Sequence, residues 1–359
     1  MDLIHPTSRA EVGAALRDAS ADRRRVQLVG GRTHAGRAAI READAELWTT
    51  QLDSTIAYDP AEMIAVVEAG MRVGELQRVL GEGGQEWAVD APAQATVGGV
   101  IATGVSSLRR LRVGHVRDTV VELDLVTGDG RAVRSGARTV KNVTGFDIHR
   151  LATGSLGSLG AIVQVALKVR PLPQSRRTLV HAGPGGLELG RELLHAVPAA
   201  AAVLASPDRV ELRLEGWAAE VEALSASAHA VVDVGVGDLD VLDDGAFPAR
   251  PIDDAPIVVE AAVPPSRLAA LLEGSDDWTA LVGVGLAWVR LGDDRAGDVE
   301  TVRARAVAAG GTARQIRGSI PDGVAPPPLP APEVHRRLKR AFDPAGILAP
   351  LGAGDTGTA

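Results

Sequence analysis

The chain has 359 residues, 45% of them hydrophobic, which is enough for two domains that each bury a core. Its formal net charge of −8 argues against a nucleic-acid partner, because phosphate backbones are bound by positively charged surfaces. There is no cysteine, so disulfides, thiol catalysis and iron–sulfur clusters held by this chain are excluded. The N-terminal segment lacks the features of a signal peptide, and no apolar stretch of about 18 residues is present. We therefore expect a cytoplasmic protein with no transmembrane segment.

In the first half of the chain the pattern mixes strands with a few helices. Ser8 and Glu11 have capping-box spacing, which predicts a helix immediately after them. Val26–Val29 is predicted as a strand that ends in a glycine turn. The elements predicted next are a strand at Ile64–Ala69, a helix at Val73–Leu80 ended by Gly81, a hairpin turning at Asp129-Gly130, and a strand closed by Pro171 and Pro173. This order lacks the regular βαβ alternation of a doubly wound sheet.

From about Gln174 the composition changes. Alanine-rich helical stretches alternate with short strands, which predicts a separate α+β unit that ends near Gly323. The sequence "VAPPPLPAP" that follows is typical of a polyproline linker. The last segment, "EVHRRLKRAFDPAGILAPLGAG", predicts one helix, an Asp-Pro turn and a tail.

Four glycine-rich stretches in the first half are candidates for ligand binding: "VGGRTHAG", "PAQATVGGVIATG", "LRVGHVRD" and "VKNVTGFDIHRLATGSLGSLGAI". A single glycine turn usually solves only a backbone problem. The first stretch fits neither the G-x-G-x-x-G spacing of dinucleotide-binding folds nor a P-loop, which requires a lysine. The order and spacing of all four stretches are more specific than any one of them.

In that order the chain resembles the PCMH-type FAD-binding domain of the vanillyl-alcohol oxidase / p-cresol methylhydroxylase flavoprotein family. Within the family its motifs are most similar to those of the glycolate oxidase FAD-binding subunit. The resemblance runs from about Pro6 to Pro173 and returns at Phe342–Pro350. It rests on Gly30-Gly31-x-Thr33, "TVGGVIATG", "RVGHVRD", "VTGDG", "VKNVTGFDIHRLATGSLGSLG" and "FDPAGIL".

The resemblance implies an α+β fold with a two-subdomain PCMH-type FAD-binding domain and a small α+β cap domain. We expect the FAD-binding domain at residues 1–173 and the cap, or substrate domain, at 174–325. Residues 326–359 are expected to hold the proline-rich linker and a C-terminal helix and tail that return to the flavin domain.

FAD is the cofactor that the resemblance implies. A nest of turn amides at Gly30–Thr33 is expected to take its diphosphate, and Ile162 is expected to pack on the adenine. The expected cofactor-binding residues are Gly30, Gly31, Arg32, Thr33, His34, Pro92, Thr96, Val97, Gly98, Gly99, Thr103, Gly104, Gly114, His115, Lys141, Asn142, Gly145, Asp147, Gly154, Ser155, Gly157, Gly160 and Ile162. Several of the glycines are expected to let the backbone approach the cofactor where a Cβ would collide.

The chain departs from the family pattern at two places. Arg32 stands where the first loop often has a third glycine, and Thr33 stands where many relatives attach the flavin through a histidine. His34 is one residue beyond that position, so we expect noncovalent FAD. In the tail, the usual Asn-Pro-Gly-[Arg/Lys] is replaced by the residues from Ala349 to Gly352.

The sequence identifies no catalytic residue and no metal site. Oxidation of a 2-hydroxy acid needs a base for the hydroxyl and a cation for the carboxylate. The candidate histidines are His115 and His149 within the flavin motifs, and His181, His195 and His229 in the second domain, which lack metal-ligand spacing. The candidate anion-binding side chains are Arg213, Arg290 and Arg317. For every one of these, a structural or solvated role is the commoner case.

Two functions follow from the resemblance. The first is FAD-dependent oxidation of a small 2-hydroxy acid such as glycolate or lactate. The second is a non-catalytic flavin-carrying subunit that relays electrons or supports assembly beside a second flavoprotein subunit and an iron–sulfur subunit. Such partners would also account for a peripheral membrane location. A nicotinamide-binding protein is disfavoured by the glycine spacing.

Overall fold

The computed structural model describes residues 1–33, 43–105, 107–138, 146–232, 239–242, 255–292, 297–318 and 331–350. The chain divides into two compact units. Unit 1 comprises Met1–Ser107, His115–Leu172 and Pro328–Ala359, and unit 2 comprises Leu108–Gly114 and Pro173–Pro327. The sequence does not indicate that the short segment Leu108–Gly114 belongs with unit 2.

The strands and helices alternate irregularly along the chain. The strands are β1 (Asp2–Ile4), β2 (Val26–Val29), β3 (Ala45–Trp48), β4 (Thr55–Asp59), β5 (Ile64–Glu68), β6 (Gln85–Glu86), β7 (Val120–Val126), β8 (Ala132–Gly136), β9 (Ala161–Lys168), β10 (Arg170–Pro171), β11 (Ser175–Ala182), β12 (Ala202–Ser206), β13 (Arg209–Gly216), β14 (Asp240–Leu242), β15 (Ile257–Ala262), β16 (Trp278–Leu281), β17 (Leu286–Leu291) and β18 (Thr312–Arg317). The helices are α1 (Arg9–Ala21), α2 (Val73–Glu82), α3 (Val97–Thr103), α4 (Arg110–Val113), α5 (Ile148–Ala152), α6 (Gly186–Ala196), α7 (Ala218–Val232), α8 (Leu268–Leu272), α9 (Asp298–Ala308) and α10 (Pro332–Phe342).

Unit 1 is built on two main sheets. The first is parallel, with strand order β1-β3-β2. The second is antiparallel, with order β4-β5-β9-β7-β8, and β6 pairs separately with β10. One core cluster packs residues of the five-stranded sheet against α2 and α3, and another packs α1 against the parallel sheet and the C-terminal Ile347 and Leu348. Two cores in one unit agree with a domain of two subdomains.

Unit 2 is built on one antiparallel sheet with strand order β14-β11-β13-β12-β16-β17-β15-β18. One face of this sheet carries the larger apolar core, to which α6, α7, α8 and α9 contribute. The opposite face carries a smaller cluster around the fully buried Trp288, which includes Leu108. The α+β fold class expected from the sequence is therefore confirmed.

Local signals in the sequence account for most of these elements. The Asp129-Gly130 turn joins β7 and β8 in an antiparallel hairpin, with Gly130 at φ 77°. Ser8 caps α1 by accepting from the amide of Glu11 at 3.2 Å. In a full capping box the Glu11 carboxylate would accept from the amide of Ser8. Here it accepts from the amide of Thr7, one residue earlier.

The structure differs from the sequence prediction at two helices. Helix α2 continues through Gly81 to Glu82. Gly81 lies on the open side of the helix, and it does not end the helix because the opposite, apolar face is buried. The sequence does not predict α3 at all, since two adjacent glycines are poor helix formers. The α3 segment is helical because Thr96 caps its first turn through the amide of Gly99 and Val100 and Ile101 are buried.

Among the helices formed by described residues, none is both long enough and apolar enough to cross a membrane.

Candidate functional site

Unit 1 contains a cavity of about 450 Å³. Three segments of the described chain supply most of its lining: β2 with the turn that follows it, α3, and the loop and strand start at Leu156–Ile162. Its volume lies within the range of small-molecule and cofactor sites. The cavity is the candidate site of this unit.

The first wall is the turn after β2. A Cβ on Gly30 would overlap the Thr96 hydroxyl, and a Cβ on Gly31 would overlap the carbonyl oxygen of Gln94. Both glycines therefore allow this turn to pack on the segment that leads into α3. Neither the Gly31 amide nor the Arg32 amide donates one of the backbone hydrogen bonds that described residues form outside helices and strands. These N–H groups suit an anion nest.

Arg32 occupies the left-handed region at φ 54°, where a side chain is disfavoured. Its guanidinium donates to the carboxylate of Glu46 and lies 4.6 Å from the centre of the Trp48 ring. The Trp48 indole N–H donates to the same carboxylate at 3.0 Å. Arg32 and Glu46 both line the cavity. This arrangement places a held guanidinium at the wall beside the glycine turn.

The second wall is helix α3, and its two glycines differ. A Cβ on Gly98 would lie 2.8 Å from the Cβ of Ala69, so this glycine serves the packing of α3 on the protein. A Cβ on Gly99 would meet only the Thr96 hydroxyl, at 2.9 Å. Both glycines line the cavity, but at Gly98 a side chain would first meet Ala69. Gly99 is therefore the position in α3 at which a larger side chain has room to occupy the ligand space.

The third wall is formed by Leu156–Ile162. The amide of Leu156 donates to the carbonyl of Ala102 at 2.8 Å, which joins this wall to α3. Gly157 and Gly160 have φ values of 78° and 152°, which favour glycine. A Cβ on Gly160 would also overlap the carbonyl oxygen of Val126.

The C-terminal segment is hydrogen-bonded to the third wall. The ammonium of Lys339 donates to the carbonyl oxygens of Ser158 at 3.0 Å, Leu348 at 3.2 Å and Ala349 at 2.7 Å. It also pairs with the Asp343 carboxylate at 2.6 Å. The same carboxylate accepts from the amides of Ile347 and Leu348. One buried ion pair therefore joins α10 and the tail to the loop that bounds the cavity.

About half of the residues expected to bind the cofactor meet at this cavity. They are Gly30, Gly31, Arg32, Thr33, Thr96, Gly98, Gly99, Thr103, Gly157, Gly160 and Ile162. The residues expected at the site but absent from its described lining are Pro92, Val97, Gly104, Gly114, His115, Asp147, Gly154 and Ser155. His34, Lys141, Asn142 and Gly145 lie outside the described residues.

Protein contacts explain several of the residues that do not line the cavity. Val97 is fully buried in the core of unit 1. Gly104, at φ 59°, ends α3, and a Cβ there would lie 2.9 Å from the Cα of Gly154. Gly114 follows α4 and belongs to unit 2. These glycines allow turns and close backbone contacts within the protein.

Sequence reasoning did not identify several residues of the lining. Among them are Gln27, Leu28, Glu46, Thr49, Ala102 and Leu156. For Glu46 a signal was present, because a charged residue stands in the middle of the apolar strand "AELW". The others are ordinary strand or loop residues whose position only the packing shows.

The two histidines of the flavin motifs also lie outside the described lining of the cavity. His115 caps a short turn, with its Nδ1 accepting from the amide of Arg117 at 3.1 Å. His149 is buried with its Nδ1 3.2 Å from the Ser135 hydroxyl. Burial lowers the pKa of the His149 imidazole, which favours its neutral form. The geometry thus gives both histidines structural roles.

In unit 2 the candidate residues are dispersed. Arg213 pairs with Glu211 at 2.9 Å, and Arg290 donates to Asp277 at 2.7 Å. His229 contacts the Ser225 carbonyl within α7, and His181 is buried in β11. The remaining candidates, His195 and Arg317, lie in α6 and β18. Among the described residues, no group of three or more histidines and carboxylates is placed to hold a metal ion.

Comparison with known proteins identifies the domain that contains the cavity. A family model described as an FAD binding domain matches residues 3–136, which include the first two cavity walls. Residues 3–136 are thus similar to this family of FAD-binding domains. FAD is accordingly the cofactor of the domain, and the resemblance read from the glycine-rich motifs is confirmed.

Curated relatives match between about a third and a half of the chain. The glycolate oxidase subunit GlcE of Escherichia coli K12 is 35% identical over 34% of this chain and 36% of its own length. A D-lactate dehydrogenase of Archaeoglobus fulgidus is 30% identical over 51% of this chain and 41% of its own length. The glycolate oxidase subunit GlcD of Bacillus subtilis is 30% identical over 36% of this chain and 28% of its own length. The aligned part thus spans less than half the length of these relatives.

The fold extends over nearly the whole chain. A solved structure of alkyldihydroxyacetonephosphate synthase superposes with a TM-score of 0.71, covering 97% of this chain and 75% of that one at 17% identity. A second crystal form gives a TM-score of 0.69. At this identity the likeness concerns the fold alone.

Proposed function

We propose that the chain is an FAD-dependent oxidoreductase of glycolate oxidase type that oxidises a small 2-hydroxy acid, with the flavin as hydride acceptor. The relatives are named for glycolate, D-lactate and D-2-hydroxyglutarate, which share a hydroxyl group on the carbon next to a carboxylate. The observation that carries the proposal is the 450 Å³ cavity, which lies in unit 1 together with the matched FAD-binding domain.

The residues present at the cavity fit FAD. The amides of Gly31 and Arg32 suit its diphosphate, and the open position at Gly99 accepts a group close to the backbone of α3. Ile162 offers an apolar side chain in the third wall for a planar ring. When bound, the flavin ring supplies a two-electron acceptor for a substrate hydride. In this proposal the chain orients the cofactor, excludes water from it and balances its charge, and unit 2 serves as the cap that receives the substrate.

A second candidate function is a flavin-carrying subunit that relays electrons or supports assembly. The observation that favours it is the match to GlcE, which is named as a subunit of glycolate oxidase. GlcD, which also matches, is named as another subunit of glycolate oxidase. The partners in this proposal are a second flavoprotein subunit and an iron–sulfur subunit, as the family resemblance implies. The proposed location is the cytoplasm, with contact to a membrane through those partners.

The cofactor part of the proposal is tested on the purified chain. We expect a yellow protein that releases its flavin into the supernatant on acid precipitation, because Thr33 occupies the usual position of attachment. Flavin that stays with the pellet would show covalent attachment instead. A colourless chain that FAD does not reconstitute would contradict the whole proposal.

The substrate part is tested by anaerobic mixing with glycolate, D-lactate or D-2-hydroxyglutarate while the flavin absorbance is followed. Rapid bleaching of the isolated chain by one of these acids would establish a self-sufficient dehydrogenase. We expect slow or absent bleaching alone and faster bleaching beside the partner subunits. A chain that retains FAD but is bleached by none of these acids, alone or with partners, would favour the relay or assembly function.

A further inference from the structure

The cavity wall contains an arginine in a backbone conformation that favours glycine. Arg32 has φ 54°, in the left-handed region that side chains rarely adopt. The turn around it already uses glycine at Gly30 and Gly31, so the chain has an arginine at a position where glycine would be easier. A residue kept in an unfavourable conformation at a ligand site points to a role for its side chain.

The guanidinium of Arg32 is held by neighbours of the same wall. Glu46 accepts two hydrogen bonds from it, and the Trp48 ring lies beneath it at 4.6 Å. Trp48 is itself fixed by its bond to Glu46 and by stacking on His5, with ring centres 5.9 Å apart. A planar cation held in this way loses little side-chain entropy when it binds a ligand.

The guanidinium is also open to a ligand. The Arg32 side chain is 49% exposed, whereas that of Glu46 is only 10% exposed. Among the described residues that line the cavity, Arg32 is the one arginine, and no lysine lines it. A diphosphate brings negative charge into this space, and a guanidinium matches two phosphate oxygens with parallel N–H donors.

We propose that Arg32 is the cationic partner of the FAD diphosphate in this chain, with Glu46 and Trp48 as positioning residues that hold its guanidinium at the cavity wall. In this proposal the amides of the turn bind the diphosphate through hydrogen bonds, and Arg32 adds further N–H donors and a positive charge that Glu46 offsets only in part. Binding of the dinucleotide should therefore have a salt-dependent component that comes from this side chain. This inference rests on the assignment of the cavity to FAD and is independent of the substrate.

The test compares two arginine-to-glycine variants of the full-length chain, stripped of flavin. Arg23 provides the matched control, because it also has φ 54° but is exposed and lies outside the described lining of the cavity. Both Arg32→Gly and Arg23→Gly relieve the same backbone conformation. We expect Arg23→Gly to be at least as stable as the wild type. We expect Arg32→Gly to fold with a lower thermal stability, because the largely buried Glu46 carboxylate loses its cation, so all binding is measured at temperatures where each variant is fully folded.

Only Arg32→Gly should alter the binding of phosphate-bearing ligands. We expect its Kd for FAD, and for ADP as a probe without flavin, to rise about tenfold, which corresponds to one charge-assisted contact. The dependence of log Kd on salt should become flatter. The Kd for adenosine, which has no phosphate, should change little, and Arg23→Gly should bind all three ligands as the wild type does.

The conservative variant separates charge from geometry. Arg32→Lys keeps a cation but loses the planar fork and much of the ring contact, so we expect a Kd for FAD between those of the wild type and Arg32→Gly. If Arg32→Gly binds FAD as tightly as the wild type with the same salt dependence, the inference is wrong while the FAD site stands. If adenosine binding falls as much as ADP binding, the side chain acts on the wall and not on the diphosphate. A wild-type chain that does not bind FAD would contradict the site itself.

Discussion

In unit 1 a lysine and an aspartate are buried behind the wall of a cavity, whereas in unit 2 an arginine and a glutamate are buried on the face of a sheet. Lys339 pairs with Asp343, whose side chain is fully inaccessible, and its ammonium also donates to three carbonyl oxygens. Arg109 pairs with Glu215 at 3.0 Å. Arg176 lies directly opposite Glu215 on the neighbouring strand, 3.8 Å from the same carboxylate.

Both ion pairs hold a segment that is distant in sequence from the rest of its unit. Lys339 contacts Ser158, 181 residues away, and Arg109 contacts Glu215, 106 residues away. The difference is what lies beside them. The lysine organises backbone carbonyls next to the cavity, while the arginine anchors Leu108–Gly114 to its sheet within unit 2. Loss of the first should therefore affect cofactor binding as well as stability, and loss of the second should affect stability alone.

The largest effect is expected for Lys339→Met. The variant leaves the Asp343 carboxylate buried without its cation, which costs about 3–5 kcal/mol of unfolding free energy in comparable buried pairs. The loop that contains Ser158 also loses its support, so the Kd for FAD should rise. Denaturant unfolding and FAD titration measure both effects. The double variant Lys339→Met/Asp343→Asn should be destabilised by less than the sum of the single changes, and additive losses would contradict the coupling.

Glu215→Gln tests the ion pair of unit 2. It removes the carboxylate that pairs with Arg109 while keeping the shape and some hydrogen bonding of the side chain, so we expect a loss of about 3 kcal/mol. FAD affinity of the folded protein should equal that of the wild type. A clear rise in the Kd for FAD at temperatures where the variant is fully folded would show that the comparison between the units is wrong.

Gly98→Val and Gly99→Val sharpen the comparison within unit 1. At Gly98 the side chain would collide with Ala69, so we expect a loss of about 1–3 kcal/mol from overpacking. At Gly99 it would extend into the cavity, so the chain should stay folded while FAD binding is abolished. Circular dichroism and flavin occupancy distinguish the two. Wild-type occupancy in Gly99→Val would show that this glycine serves only the helix.

The smallest effect is a pH dependence from His149. Burial lowers the pKa of this imidazole in the folded state, so the unfolded chain binds a proton more readily. The stability that comes from burying the neutral His149 imidazole is therefore fully present above the ordinary pKa of about 6.5. It is lost as the pH falls below that value. We expect His149→Gln to show a shallower decline of unfolding free energy between about pH 6.5 and 5. An unchanged slope would mean that other groups dominate this window.

Local patterns predicted much of unit 1. The strand before Gly30, the hairpin at Asp129-Gly130 and the helix after Ser8 each depend on residues within a few positions of one another, and the structure contains all three. The glycine motifs predicted the FAD-binding domain through their order and spacing, which resemble those of a known flavoprotein family, since a single glycine turn is not specific.

The sequence by itself thus determined the class of the fold, the FAD-binding domain and the turn that begins its cavity. Tertiary structure alone decided at which cavity-lining glycine a side chain would collide with the rest of the protein, as the difference between Gly98 and Gly99 shows. It also decided that Glu46 lies at the wall, that Lys339 supports it from the far end of the chain, and that Leu108–Gly114 joins unit 2. The physical reason is range: backbone preferences act over a few residues, whereas burial and ion pairing depend on which distant segments meet when the chain folds.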